Sequence, residues 1–92
     1  MNITWFRNDI EESFADYTVT HRYFPESDFG ALDQVIFEND KKGGQIDFYA
    51  SHVLHISIFD YELDKEIFVT LLGPDEQIEK MEAIKKMLKL IS

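Results

Sequence analysis

Leu54-His55-Ile56-Ser57-Ile58-Phe59 is the stretch of sequence that decides the fold, because its residues divide cleanly into two alternating sets. Successive side chains of a β-strand point to opposite faces of a sheet. Leu54, Ile56 and Ile58 are therefore predicted to face a core, and His55, Ser57 and Phe59 to face outward. Such alternation is typical of an antiparallel sheet that is covered on one face only.

Other β-prone runs lie on both sides of this strand. Their predicted limits are Tyr17–Tyr23, Asp33–Asn39, Gln45–Ala50 and Glu66–Leu72. Phe24–Gly30, which contains Pro, Ser, Asp and Gly, is predicted to be a loop. Asn39-Asp40-Lys41-Lys42-Gly43-Gly44 is predicted to be a hairpin turn. In the run after that turn, Ile46, Phe48 and Ala50 should share one side, with Asp47 and Tyr49 on the other.

A helix is predicted at each end of the chain. The first has an apolar face made of Phe6, Ile10, Phe14 and Tyr17, with Asn2 or Thr4 available as the N-terminal cap. The last begins near Gly73-Pro74-Asp75-Glu76, since proline and acids are favoured in a first turn. Its predicted apolar stripe is Ile78, Met81, Ile84, Leu88 and Ile91.

These elements predict an α+β fold, with an N-terminal helix, an antiparallel meander sheet of about five strands and a C-terminal helix. The 92 residues fit one compact domain, 1–92, and leave no room for a second core. A chain with 45% hydrophobic and 14% aromatic residues has enough apolar material to fill it.

The formal net charge is −9, from 18 acidic and 9 basic side chains. Such a surface repels nucleic acid and anionic lipid, so neither is expected as a partner. It attracts cationic proteins and speeds encounter with them. An acidic surface can also simply keep a protein soluble, without any partner. Residues 1–40 hold nine acids and two arginines, a net −7, whereas the four acids of residues 73–92 are balanced by four lysines. This asymmetry favours a cationic partner.

The absence of cysteine excludes disulfides, thiolate metal sites and cysteine nucleophiles. No secretory signal or membrane span is recognisable, so a cytoplasmic location is predicted. No cofactor is expected.

Metal sites are also not expected. His52 and His55 are three residues apart, which in a strand points them to opposite faces. Asp60, Glu62 and Asp64 would share one face of an extended segment, but the glycine and the later glutamate of a calcium loop are out of register. A solvent-facing hairpin end or a partner contact explains these three carboxylates better.

Catalysis is not predicted. None of the serines has the glycine-flanked context of an activated nucleophile, and Gly43-Gly44 lies between strands with no helix N-terminus behind it. The chain is therefore interpreted as a binding protein rather than an enzyme. The predicted partner-binding residues form two regions: Tyr23, Glu26, Asp28 and Asp33, and then Asp60, Tyr61, Glu62 and Asp64.

Three segments of the second half, Gly43-Gly44-Gln45-Ile46-Asp47-Phe48, Leu54-His55-Ile56 and Leu71-Leu72-Gly73-Pro74-Asp75-Glu76, resemble small bacterial immunity proteins of contact-dependent growth inhibition and related polymorphic toxin systems. The resemblance implies a cytoplasmic inhibitor that binds one cognate toxin domain. Many such toxins are basic nucleases, which an acidic inhibitor would suit. The alternative is a non-catalytic adaptor or regulatory subunit of a cytosolic complex.

Overall fold

The computed structural model describes all 92 residues. The chain begins with an N-terminal helical segment made of three consecutive pieces: an α-helical turn α1 (Ile3–Trp5), a π-helical turn (Phe6–Ile10) and a 3-10 turn (Glu11–Phe14). The Asn2 side chain caps the segment by accepting a hydrogen bond from the backbone N–H of Trp5 at 3.0 Å.

Five strands follow as an antiparallel meander, and their spatial order is the same as their order in the chain. Their bounds are β1 Thr18–Phe24, β2 Leu32–Glu38, β3 Lys42–Tyr49, β4 Leu54–Asp60 and β5 Lys65–Leu72. The chain ends in helix α2, Gln77–Ile91. The predicted α+β meander with a helix at each end is therefore confirmed.

One face of the sheet carries the core. The alternation in β4 falls as predicted, since Leu54, Ile56 and Ile58 are buried and His55 and Ser57 are only half-buried on the opposite face. Both helical elements pack on the core face and join one apolar cluster with residues from β2, β3 and β4. The opposite face has no helix over it, and we call it the uncovered face.

Helix α2 buries only part of the predicted stripe: Ile84 and Ile91 are buried and Leu88 is half-buried against the core, but Ile78 and Met81 are not. Ile78 is 71% exposed and Met81 is 47% exposed, so the prediction that both face the core is wrong. The buried residues are Lys80, Ala83, Ile84, Met87 and Ile91. Each helical residue advances by about 100°, which places Ile78 about 120° away from Ile84. The helix also begins at Gln77, later than Pro74 suggested.

The turn between β2 and β3 is shorter than predicted, and both glycines lie inside β3. The Asn39 side chain forms this turn by accepting hydrogen bonds from the backbone N–H groups of Lys41 and Lys42, each at 2.8 Å. Gly44 pairs with Phe37 on one side and with Ile58 on the other. Its role is therefore in the sheet and not in the turn.

Tyr17 ties the end of the N-terminal helical segment to the end of α2, because its hydroxyl donates to the Ile91 carbonyl at 2.9 Å. Burial raises the pKa of Tyr17 above its ordinary value of 10.0, and the negative charge of Asp16 raises it further, whereas a hydrogen bond with Asn39 acts in the opposite direction. The folded state therefore holds the phenolic proton more tightly than the unfolded state does.

We expect this difference to make the protein less stable in alkali. The stabilisation is fully present below about pH 10 and is lost as the pH rises through the higher folded-state pKa. Tyr17→Phe should cost about 1 kcal/mol at neutral pH through the lost hydrogen bond, but its stability should fall less steeply above pH 10. Urea unfolding of both proteins from neutral to alkaline pH measures the two slopes, and identical slopes would contradict the expectation.

No helix in the structure combines the length and the apolar character that crossing a membrane would require.

Candidate protein-binding surface

The acidic residues of the first half of the sequence lie together on one side of the molecule. In a meander each strand is hydrogen-bonded to the next one in the chain, so β1 and β2 lie side by side at one edge of the sheet. The N-terminal helical segment packs on the core face, where Phe14 contacts Phe37 of β2 and Phe6 contacts His21 of β1 and Phe48 of β3. We call the N-terminal helical segment, β1, β2 and the loops after them, residues 1–40, the acidic side. Seven of its acids are exposed: Asp9, Glu12, Asp16, Glu26, Asp28, Glu38 and Asp40.

These exposed carboxylates are not neutralised within the chain. The structure has only two contacts between an acidic and a basic side chain, and in both the basic side chain is a histidine: His21 with Glu11 at 2.6 Å and His55 with Asp47 at 2.9 Å. No lysine or arginine lies within 4 Å of a carboxylate. The charge of the acidic side is therefore available to attract a cationic partner.

The first predicted region lies at the end of the sheet where β1 turns into β2. Tyr23 is 62% exposed and faces Asp33 across the β1–β2 pair. Glu26 and Asp28 are exposed in the connecting loop. The structure thus brings these four residues to one end of the acidic side, although it leaves Asp33 half-buried.

This loop is held in place by its own contacts and by the neighbouring turn. The Ser27 hydroxyl donates to the Gly30 carbonyl and accepts a hydrogen bond from the Phe29 N–H. The Ser51 hydroxyl donates to the Phe29 carbonyl at 2.6 Å, and the Phe29 ring packs edge-on against Tyr49. Glu26 and Asp28 are therefore presented from an anchored loop, which reduces the entropy lost on binding.

The second predicted region lies at the opposite end of the strands, towards the other edge of the sheet. Asp60 ends β4, and Tyr61, Glu62 and Asp64 belong to the turn before β5. Strands of seven or eight residues separate the two ends by about 20–25 Å. The structure does not bring the two predicted regions together.

The three carboxylates of this second region lie at a solvent-facing hairpin end, one of the two interpretations offered for them, and they do not line one strand face. Asp60 accepts a hydrogen bond from the Leu63 N–H at 2.9 Å, and this bond closes the turn. Asp64 adopts a left-handed conformation with φ of 52°. Tyr61 packs against Phe59, with ring centroids 5.8 Å apart, and its hydroxyl reaches over Gly43.

Asp33 also lines a cavity of about 130 Å³ that includes His52 and Lys80. Lys80 is only 4% exposed, and its ammonium donates to the His52 carbonyl. The cavity is well below the roughly 300 Å³ at which ligand pockets usually begin. Asp33 is therefore half-buried beside this small cleft and is less accessible to a partner than Glu26 and Asp28 are.

A buried carboxylate that sequence reasoning missed lies at the centre of the uncovered face. Asp47 is only 3% exposed, although no helix lies over it. Its oxygens accept hydrogen bonds from Gln34 Nε2 at 2.9 Å, from Gln45 Nε2 at 3.0 Å and from His55 Nδ1 at 2.9 Å. We call these four residues the Asp47 cluster.

Strand register builds this cluster. Asp47 lies directly opposite Gln34 on β2 and His55 on β4, and Gln45 precedes it by two residues on the same face of β3. The alternation of polar residues in β3 and β4 could have indicated that Asp47 and His55 share a face. The contact between Asp47 and Gln34 could not be predicted without knowing how β2 aligns with β3 across the turn. With Nδ1 engaged by Asp47, His55 presents its other ring nitrogen outward from a partly exposed ring.

The three histidines lie in separate places. His21 is on the core face with Glu11, His52 is in the β3–β4 turn with φ of 68°, and His55 is on the uncovered face. The structure contains no group of three or more histidine or acidic side chains arranged to hold a metal ion.

Comparison with known proteins gives no match: no protein family, no curated protein and no solved structure is significantly similar to this chain.

Proposed function

We propose that this chain is an immunity protein, a non-catalytic cytoplasmic protein whose acidic side binds and neutralises a cognate bacterial toxin domain with a basic surface. The observation that carries the proposal is the spatial polarisation of charge, with seven exposed, unpaired acids on one side of the sheet. The resemblance of the second half of the sequence to immunity proteins supports the choice of a toxin as the partner.

The acidic side has suitable dimensions for such a contact. The molecule measures 34 × 24 × 24 Å, and a standard protein interface covers about 800 Å² on each partner, close to one side of a domain of this size. Exposed acids lie at both ends of the β1–β2 hairpin, Glu26 and Asp28 at one end and Glu38 and Asp40 at the other. A basic partner docked along β1 would meet negative charge at both ends of its footprint.

Association kinetics test the steering role of these acids. We expect the double substitution Glu26→Gln with Asp28→Asn to slow association with the toxin domain by about ten-fold at low salt, and to flatten its dependence on ionic strength. The partner to use is the C-terminal domain of the product encoded directly upstream. Asp33 is left unchanged because it is half-buried and lines the cavity.

Asp75→Asn with Glu76→Gln is the matched control, since it removes the same charge from exposed positions just before α2. This control should associate at the wild-type rate. If both double variants slow association equally, net charge and not the acidic side is responsible. If the upstream product binds no better than an unrelated basic protein, the toxin assignment fails, and a housekeeping defect in a deletion strain lacking that gene would favour the adaptor alternative.

A further inference from the structure

The outer strand β5 carries an unprotected edge. β5 is the last strand of the sheet, so one side of its backbone has no strand partner. Its segment Ile67-Phe68-Val69-Thr70-Leu71-Leu72 contains no charge, no proline and no glycine. Val69 is 52% exposed and Leu71 is 57% exposed. Lys65 and Glu66 begin the strand, and the six-residue uncharged, β-prone stretch after them is a template for pairing with a further strand.

The other outer strand, β1, is different. It contains His21 and Arg22, and it is flanked by the exposed acids of the acidic side. A second copy of a chain with net charge −9 would meet like charge there. From residue 73 onward the charges balance, so the side of the molecule formed by β5 and α2 is where two copies can approach with the least repulsion.

We propose that two copies of this chain associate through their β5 strands, antiparallel and related by a two-fold axis, to form one continuous ten-stranded sheet. The acidic sides then lie at its two outer ends. The two β1 strands are separated by nine strand spacings, about 43 Å, which is several times the screening length of about 10 Å in 0.1 M salt. Each acidic side stays free for another partner.

Helix α2 has a charge pattern that fits this two-fold arrangement. Glu79, Glu82, Lys86 and Lys89 are spaced three, four and three residues apart, so they share one helical face. The pattern is symmetric about Ile84 with the sign of charge inverted. All four are exposed and lie about 140–160° around the helix from buried Ile84, so they are on its solvent side. In an antiparallel pair of α2 helices, Glu82 of one copy therefore lies level with Lys86 of the other, and Glu79 lies level with Lys89.

One two-fold axis can relate both the two β5 strands and the two α2 helices. The Lys86 ammonium lies 5.2 Å from the centre of the Phe68 ring, so this residue of the charged face reaches β5. The axis is placed at Val69, the residue of β5 next to Phe68, so that it passes near Lys86 and brings the two α2 helices together.

Light scattering coupled to size exclusion tests the proposal. The wild-type chain should have twice the mass of one chain, and the dimer should dissociate on dilution. Val69→Lys places two ammonium groups opposite each other at the axis, so it should weaken dimerisation by at least about ten-fold. Thr20→Lys is the matched control, because Thr20 is exposed on the uncovered face of the other outer strand, and it should stay dimeric.

A charge swap tests the helical contact independently. Glu82→Lys alone and Lys86→Glu alone should each weaken the dimer, because each places like charges together across the axis. An equimolar mixture should restore it as a heterodimer. Circular dichroism confirms that each variant is folded.

A wild-type chain that is monomeric at every concentration overturns the proposal, as does a dimer that Val69→Lys leaves intact or that only Thr20→Lys disrupts. A mixture that stays monomeric overturns the helix pairing.

Discussion

Replacement of Gly44 by alanine is expected to lower the free energy of unfolding by about 3 kcal/mol or more. A Cβ atom at this position would overlap the backbone carbonyl oxygen of Ser57, and it would lie 2.7 Å from Phe37 Cζ and 3.2 Å from Ile58 Cα. Two of these atoms belong to the backbone of β4, which pairs with both β3 and β5. They cannot move aside without breaking strand pairing, and Phe37 is fully buried.

Gly43 is the matched control because it is adjacent in sequence and lies in the same strand. A Cβ atom there would meet only the hydroxyl end of the Tyr61 side chain, with Tyr61 Cζ at 3.0 Å. Tyr61 is exposed, so its ring can turn into solvent. We expect Gly43→Ala to cost at most about 1 kcal/mol. Urea unfolding of both variants measures the difference, and equal losses would show that the Gly44 backbone can relax.

The requirement for glycine at position 44 could not be predicted from the local sequence. Adjacent glycines between two β-prone runs are a strong local turn signal, and the turn does lie close by, at Asn39–Lys41. The need for Gly44 arises from Phe37 and Ser57, which approach it only once β2, β3 and β4 have paired. A local pattern contains no information about atoms on neighbouring strands.

Helix α2 shows a related limit. The spacing of its apolar residues correctly predicted a helix, but Ile78 and Met81 are as apolar as Ile84 and Met87. The choice of buried face depends on the fit against the sheet, and Lys80 lies on that face, where its ammonium donates to the His52 carbonyl. A lysine at a core position is not expected from its type, because its charge is costly to bury without a partner.

The uneven distribution of acids along the sequence also predicted where part of the negative charge lies in the folded protein. Sequence order gives spatial order only when neighbouring elements in the chain are also neighbours in space, as they are in a meander. The acids of residues 1–40 could thus be located as one side once the fold class was known. The separation of the two predicted contact regions follows from the same topology, because successive turns of a meander lie at alternate ends of the strands and the first and fourth turns are therefore at opposite ends.

Asp47 provides the second large expected effect. Asp47→Ala should lower the free energy of unfolding by about 3 kcal/mol, because Gln34, Gln45 and His55 all lose their acceptor at a position that solvent barely reaches. Asp47→Asn keeps the shape and one acceptor oxygen, but it turns an amide N–H₂ towards other donors, so we expect a loss between those of alanine and wild type.

Glu38→Ala is the matched control, since Glu38 is an exposed acid on the same uncovered face and should change stability by no more than about 0.5 kcal/mol. A double-mutant cycle between Asp47→Ala and His55→Ala measures the interaction energy between these two side chains. If His55 is held in place chiefly by Asp47, the double variant should lose less than the two single losses combined. Additive losses would mean that the two side chains contribute independently, and the Asp47 cluster would then be two separate contacts instead of one network.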